Sequence, residues 1–356
     1  MKNLINSDIK FVQRDFSKIK LKNFLYFDAN EGVENFNKSI LKKIFSKINP
    51  NDLIYYPNNY QEIYYKIAKW QKIRADQLLL TNGADDGIRQ ILTMFLKPND
   101  KVVYYEPSYG MYKVYFKIFK TKQYPYELDL LNNNKFQELK KFIIKIKPKL
   151  IILSNPNQPF EKILNNKEIF EICSISGKLK SILIVDEAYY HFNNITAIKN
   201  IKFFKNLYII RTFSKAFGLA GIRAGYIVSS TNNINYLRTL KSNYEINSIN
   251  KIIILFFLNN LKIIKNYTKG VKNSIHIFYK TFKKNKNFDI IGKYTNFLLL
   301  NFKKEEEIEE FYNFFLKKNI FLKKIIYKKK KYIRITFGNK KYTMKIANII
   351  KQFYQK

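Results

Sequence analysis

Short apolar runs alternate with stretches of helical period through the first two thirds of the chain. Leu78–Leu80, Val102–Tyr105, Leu150–Leu153, Ile182–Val185, Leu207–Ile210 and Tyr226–Val228 are such runs. They are too short for helices and rich in Ile, Val and Leu, which reads as strands buried on both faces. After Gly83 the apolar residues recur instead at Ile88, Ile91, Leu92 and Phe95, the spacing of an amphipathic helix. Strand and helix alternating from Leu78 to Val228 predict an α/β fold with a mostly parallel central sheet covered on both faces.

The pattern changes on either side of that block. Residues 1–27 read as a polar, partly helical arm, and Ile40–Ile48 as an amphipathic helix. A long lysine-rich helical stretch follows at 231–284. Thr295–Asn301 then reads as a strand, Glu305–Lys318 as a helix and Lys331–Gly338 as a strand. These predict a large domain at 50–250 and a smaller α+β domain made of 1–49, with its arm, and 251–356. There are no internal repeats and no low-complexity linker.

Open α/β sheets place ligands beyond the carboxyl ends of their strands, and three strand exits here carry reactive groups. Leu207–Ile210 runs into Arg211-Thr-Phe-Ser-Lys-Ala-Phe-Gly-Leu-Ala-Gly-Ile-Arg-Ala-Gly225. Lys215 sits there among small and hydroxyl residues, including Thr212 and Ser214. A lysine at such a place forms a Schiff base once desolvation or neighbouring cations lower its pKa. Arg223 and Ser214 suit a phosphate, by a charged fork and a hydroxyl. Leu78–Thr81 leads to Gly83, Ala84 and Asp85 at a helix start, where free N–H groups bind anions. Ile182–Val185 ends in Asp186. A carboxylate at that end can hold a protonated ring nitrogen of a cofactor, although a lone Asp there is more often a cap or turn former.

The stretch around Lys215 resembles the Schiff-base motif of the fold-type-I aminotransferases that use pyridoxal phosphate. It is most similar to their histidinol-phosphate aminotransferase branch. Further motifs matching in order extend the resemblance from Asp28 to Phe337. It implies pyridoxal 5′-phosphate as cofactor, a fold-type-I architecture and a homodimer with its active sites at the interface. Lys215, Asp186 and Tyr189 would be catalytic. Gly83, Ala84, Asp85, Thr212, Ser214 and Arg223 would hold the phosphate end, with Tyr109 against the ring and Tyr189 on the phenolic oxygen. Tyr56, in the pair Tyr56-Pro57, would reach the partner's cofactor phosphate. Asn30 would stand at the substrate mouth, and Arg334 would grip the substrate's anionic end.

Two departures stand out. Where the family reads Asn-Pro-Thr-Gly, this chain reads Gln158-Pro159-Phe160-Glu161, so either Gln158 or Asn157 would supply the amide to the phenolic oxygen. A second family arginine corresponds by pattern to Lys323. The implied substrates are an amino donor and a keto acceptor, phosphorylated at least on one side. Histidinol phosphate with 2-oxoglutarate leads; another small phosphorylated amino alcohol or ketone, or decarboxylation of a phosphoamino acid, is the alternative.

Composition adds one question. Lys and Arg outnumber Asp and Glu by 65 to 27, a net charge of +38. Such a field attracts anions, nucleic acid included. However, Lys, Asn, Ile, Phe and Tyr are inflated together, and the lysines are spread along the chain, as in a general compositional bias. A nucleic-acid-binding protein has no need of Lys215, Asp186 and Arg223 together. The single Cys173 excludes an intramolecular disulfide, and with only His191 and His276 no metal site is expected. Apolar runs such as Ile252–Leu258 are too short to span a bilayer, and the N-terminus lacks an apolar signal core. The expected setting is the cytoplasm, away from membranes.

Overall fold

The computed structural model describes residues 20–34, 36–128, 136–241, 243–244 and 246–355. Of the expected N-terminal arm, residues 1–19 lie outside the described residues. Seven strands form the central sheet. Their order across it is Leu78–Thr81, Gly225–Val228, Leu207–Thr212, Ile182–Asp186, Leu150–Ser154, Lys101–Glu106 and Lys122–Glu127. All run parallel except Gly225–Val228, which is antiparallel to both neighbours.

The apolar runs are buried on both faces because side chains alternate along a strand. Leu78, Leu80, Val103, Ile151, Leu183, Val185, Leu207 and Ile209 enter one core. Leu79, Val102, Tyr104, Leu150, Ile152, Ile184, Tyr208 and Ile210 enter the other. Each such side chain contributes about 1.5–3 kcal/mol of burial. The strand Lys122–Glu127 was not legible in the pattern. It is polar, half-exposed and carries Pro125, which an edge position tolerates.

The expected helical stretch at 231–284 is three helices: Thr231–Arg238, Ser248–Asn259 and Leu261–Phe282. Asparagines mark two boundaries. The Asn247 side chain accepts from the Asn250 N–H as an N-cap, and Asn260 separates the last two helices. The helix expected at Ile40–Ile48 is Lys38–Phe45.

A second, antiparallel sheet follows in the order Lys323–Tyr327, Lys330–Thr336, Phe297–Phe302 and Phe288–Ile291. Leu25–Tyr26 pairs in parallel with Ile320–Phe321, bringing the start of the described chain to this end. One core runs from the central sheet to Leu298, Leu300, Ile333 and Ile335 of the second sheet. The two sheets therefore meet around the strand exits that carry Asp186 and Lys215.

Candidate active site

Neighbouring strand ends deliver the reactive groups to one pocket of about 180 Å³. Asp186 closes its strand in register with Ile210 of the next, and that strand runs on through Thr212 to Ser214 and Lys215. Ala84, Asp85, Tyr109, Gln158, Asp186, Tyr189, Thr212, Ser214, Lys215 and Arg223 all line this pocket.

Asp186 is a buried carboxylate held in place from two sides. Its Oδ1 accepts the Ala188 N–H at 3.0 Å, and its Oδ2 accepts the Tyr112 phenol at 2.6 Å. Burial raises its pKa, and the Tyr112 and Ala188 hydrogen bonds oppose that rise. Among the described residues no cation pairs with it. A carboxylate so placed suits a ligand that brings a positive N–H.

Lys215 is half-buried, and its Nζ donates to the Ala29 carbonyl at 3.3 Å. Its pKa is pushed down to about 8, first by desolvation and then by Arg334, with Arg223 adding to the effect. A sizeable minority of the amine is thus neutral near physiological pH, and most of it is neutral above about pH 8.

A cradle for a dianion forms at the other end of the pocket. The helix Gly83–Phe95 begins directly after the strand Leu78–Thr81. A Cβ on Gly225 would lie 2.7 Å from the Ala84 nitrogen, so only glycine lets the strand approach this helix start. Gly83 itself has φ +82°, and a Cβ there would stand 3.0 Å from Nη2 of Arg223. Arg223 adopts left-handed φ +48°, a conformation that costs about 1–3 kcal/mol and persists where its surroundings impose it. The Thr212 hydroxyl donates to Ser214 Oγ at 3.0 Å beside it. Among the described residues no carboxylate pairs with Arg223. The residues present therefore fit pyridoxal phosphate, with a phosphate cradle, an aromatic wall at Tyr109, an amine and a carboxylate in one pocket.

The structure separates the two neighbouring amides. Gln158 faces the pocket, and its Oε1 accepts the Tyr189 phenol at 2.8 Å and Asn30 Nδ2 at 3.2 Å. Asn30 Nδ2 also donates to the Tyr189 oxygen at 2.8 Å, so Asn30, Tyr189 and Gln158 form one network. Asn157, unlike Gln158, does not line the pocket. It is fully buried, accepts from the Ser108 hydroxyl at 2.7 Å and donates to the Pro107 and Phe160 carbonyls, each at 2.9 Å. Those bonds occupy both its amide hydrogens and its oxygen.

Arg334 lies on the second sheet, beyond the pocket's immediate lining. It donates to the Asp28 carbonyl at 2.5 Å, and its guanidinium carbon sits 5.5 Å from the centre of the Phe297 ring. Its Nε is buried without an acceptor. Lys323 stands opposite Arg334 in the strand register, placing two cations side by side. Tyr56 does not reach this pocket. It is 75% exposed and stacks on Tyr244 at 4.4 Å, next to the exposed Leu53, Ile54 and Tyr55.

Known proteins carry the same pattern. Residues 22–350 match the aminotransferase class I and II family. The chain belongs to that family. A histidinol-phosphate aminotransferase of Thermoanaerobacter pseudethanolicus is 31% identical over 86% of this chain and 87% of its own length. The histidinol-phosphate aminotransferase of Sinorhizobium meliloti, solved with pyridoxal-5′-phosphate, superposes with a TM-score of 0.82 at 18% identity over 93% of this chain and 90% of that one. That of Clostridium acetobutylicum gives 0.81 at 22% identity over 92% and 98%.

Three elements of this aminotransferase site escaped the sequence. Tyr112, three residues past Tyr109, supports Asp186, and nothing in its apolar helical context signals that. The second element is the bond from Asn30 to Tyr189, which joins residues 159 positions apart. The third lies behind Asp186, where Glu187 and Arg211 form a buried ion pair at 2.7 Å, with Arg211 also donating to Gln71 and Thr196.

Proposed function

We propose that the chain is a pyridoxal-phosphate-dependent transaminase acting on L-histidinol phosphate and 2-oxoglutarate, a homodimer working in the cytoplasm. The observation that carries this reading is the convergence on one pocket of Lys215 and Arg223, from one strand exit, and Asp186, from the neighbouring one. Curated relatives, that of Thermoanaerobacter pseudethanolicus among them, are named for that substrate.

When bound, the cofactor supplies an electron-withdrawing ring that stabilises negative charge on the substrate carbon. Asp186 holds the ring's protonated nitrogen. Arg223, Ser214, Thr212 and the helix start at Gly83–Asp85 hold the phosphate. Tyr109 covers the ring, and Tyr189 and Gln158 hold the phenolic oxygen. Lys215 Nζ, neutral above about pH 8, accepts the proton leaving the substrate carbon and returns it as ammonium. Arg334, with an unpartnered Nε, and Lys323 beside it receive the substrate's anionic group. Asn30 orients Tyr189 at the mouth of the pocket. The exposed apolar face at Leu53–Tyr56 suits a second copy of the chain, whose Tyr56 would complete the phosphate site.

The test is turnover by purified, cofactor-loaded protein. L-Glutamate should convert the bound cofactor to its amine form, read by absorbance, and histidinol phosphate with 2-oxoglutarate should yield glutamate. Conversion by glutamate without turnover of histidinol phosphate would leave a transaminase for another phosphorylated ketone. Release of carbon dioxide from a phosphoamino acid would replace transamination with decarboxylation. Salt-dependent DNA binding without cofactor uptake would overturn the reading altogether.

A further inference from the structure

The segment Gln158-Pro159-Phe160-Glu161 departs from the family pattern, and only Gln158 of it faces the pocket. Its last two residues contact the second sheet. Glu161 is half-buried and accepts the backbone N–H of Lys293 on Oε1 at 2.9 Å and that of Tyr294 on Oε2 at 2.7 Å. Those amides lie in the turn joining Phe288–Ile291 to Phe297–Phe302. Gly292 has φ +95°, and a Cβ there would lie 3.4 Å from Glu161 Oε2, so the turn closes directly on the carboxylate. Phe160 is buried and meets Tyr327 and Tyr332 edge-on at 5.3 and 5.2 Å.

The same turn leads into the substrate side. Three residues beyond Tyr294, Phe297 lies under the guanidinium of Arg334 and meets the Tyr189 ring edge-on at 5.5 Å. Tyr189 in turn donates to Gln158. One short loop thus touches the cofactor side through Gln158 and the second sheet through Phe160 and Glu161.

We propose that Phe160 and Glu161 are positioning residues that clasp the second sheet to the loop carrying Gln158, and so set Arg334 relative to Lys215 and Tyr189. The kinetic consequence rests on Arg334 as the seat of the substrate anion. In a chain with Thr-Gly at these positions neither the carboxylate nor the ring would be present, so the clasp is a feature of this sequence.

Amide hydrogen exchange and steady-state kinetics on cofactor-loaded Glu161→Ala and Glu161→Gln test it. Protection at Lys293 and Tyr294 should fall about tenfold in Glu161→Ala, with the strand Ile182–Asp186 unchanged. KM for L-glutamate should rise about tenfold with kcat held within about threefold, and Glu161→Gln should lie between. A merely structural role would lower thermal stability and leave KM alone. Unchanged protection, or lost protection with unchanged KM, overturns the proposal. Should Glu161→Ala fail to fold, Phe160→Leu keeps apolar volume and removes the ring contacts, and an unchanged KM there overturns it equally. If the wild-type protein does not transaminate, the proposed function fails by itself. Calorimetric affinity for inorganic phosphate, measured on cofactor-loaded protein in which the Arg223 cradle is filled, then replaces KM, and no weakening in Glu161→Ala overturns the clasp.

Discussion

Tyr112 and Asp186 share a 2.6 Å hydrogen bond between two buried side chains. The phenol is the donor, so it favours the carboxylate over the carboxylic acid. Burial acts in the opposite direction and leaves the Asp186 pKa raised. Tyr112→Phe removes the favourable part. The acidic limb of the kcat/KM profile should move to higher pH, and the lost charge-assisted bond should cost about 1.5–3 kcal/mol of transition-state stabilisation at neutral pH. An unmoved acidic limb would show that Asp186 does not need the phenol.

Lys215 gives a pH dependence of known sign. Its folded-state pKa is depressed to about 8 from an ordinary 10.5. Between those values the unfolded chain holds the proton and the folded chain does not. The destabilisation is therefore fully present below about pH 8 and is relieved as pH rises toward 10.5. Lys215→Met apoprotein should lack that rise in stability, measured by denaturant unfolding against wild type. The rate of pyridoxal phosphate uptake by the wild-type apoprotein should climb with pH and level off above about 8, since a neutral amine is the reacting form. Lys215→Ala should abolish transamination.

The phosphate cradle depends on one close approach. At Gly83 an alanine would be strained by φ +82° and would push on Nη2 of Arg223 from 3.0 Å. Gly83→Ala and Arg223→Ala should each weaken pyridoxal phosphate binding about tenfold or more, as loss of a charge-assisted contact does. Calorimetry on apoprotein reads this, with circular dichroism to confirm that the fold is kept.

Glu187 and Arg211 are each almost wholly removed from solvent, and Arg211 stacks on Tyr190 at 3.5 Å. Glu187→Ala would leave a buried guanidinium without its counter-charge. The expected loss is about 3–5 kcal/mol in denaturant unfolding. Glu187→Gln keeps one oxygen to accept from Arg211 but turns its NH2 toward the Ala197 N–H that Oε1 accepts, and it should still lose less than the alanine.

Much of the site was legible because its residues lie within a few positions of a strand end. Lys215, Ser214, Asp186, Gly83 and Ala84 all follow apolar runs whose period revealed the strands, and open sheets place ligands there. Arg223 came with the glycine-rich segment around Lys215. The helix boundaries inside 231–284 were harder, because lysine-rich helical period continues across Asn247 and Asn260 and only the caps interrupt it.

Local patterning along the chain sufficed for the α/β alternation, the strands that bury both faces, and the amine, carboxylate and guanidinium groups at their exits. Burial period and strand-end position are local properties. Only folding in three dimensions settled which of two adjacent amides lines the pocket. Asn157 is fixed by Ser108 and Pro107, about fifty residues away, and that leaves Gln158 to meet Tyr189. It also decided that Asn30 joins Tyr189, that Tyr112 supports Asp186, and that Glu161 closes on the turn at Lys293 and Tyr294. These pairings follow from strand order and from how two sheets meet, and hydrophobic periodicity along one chain carries no record of either.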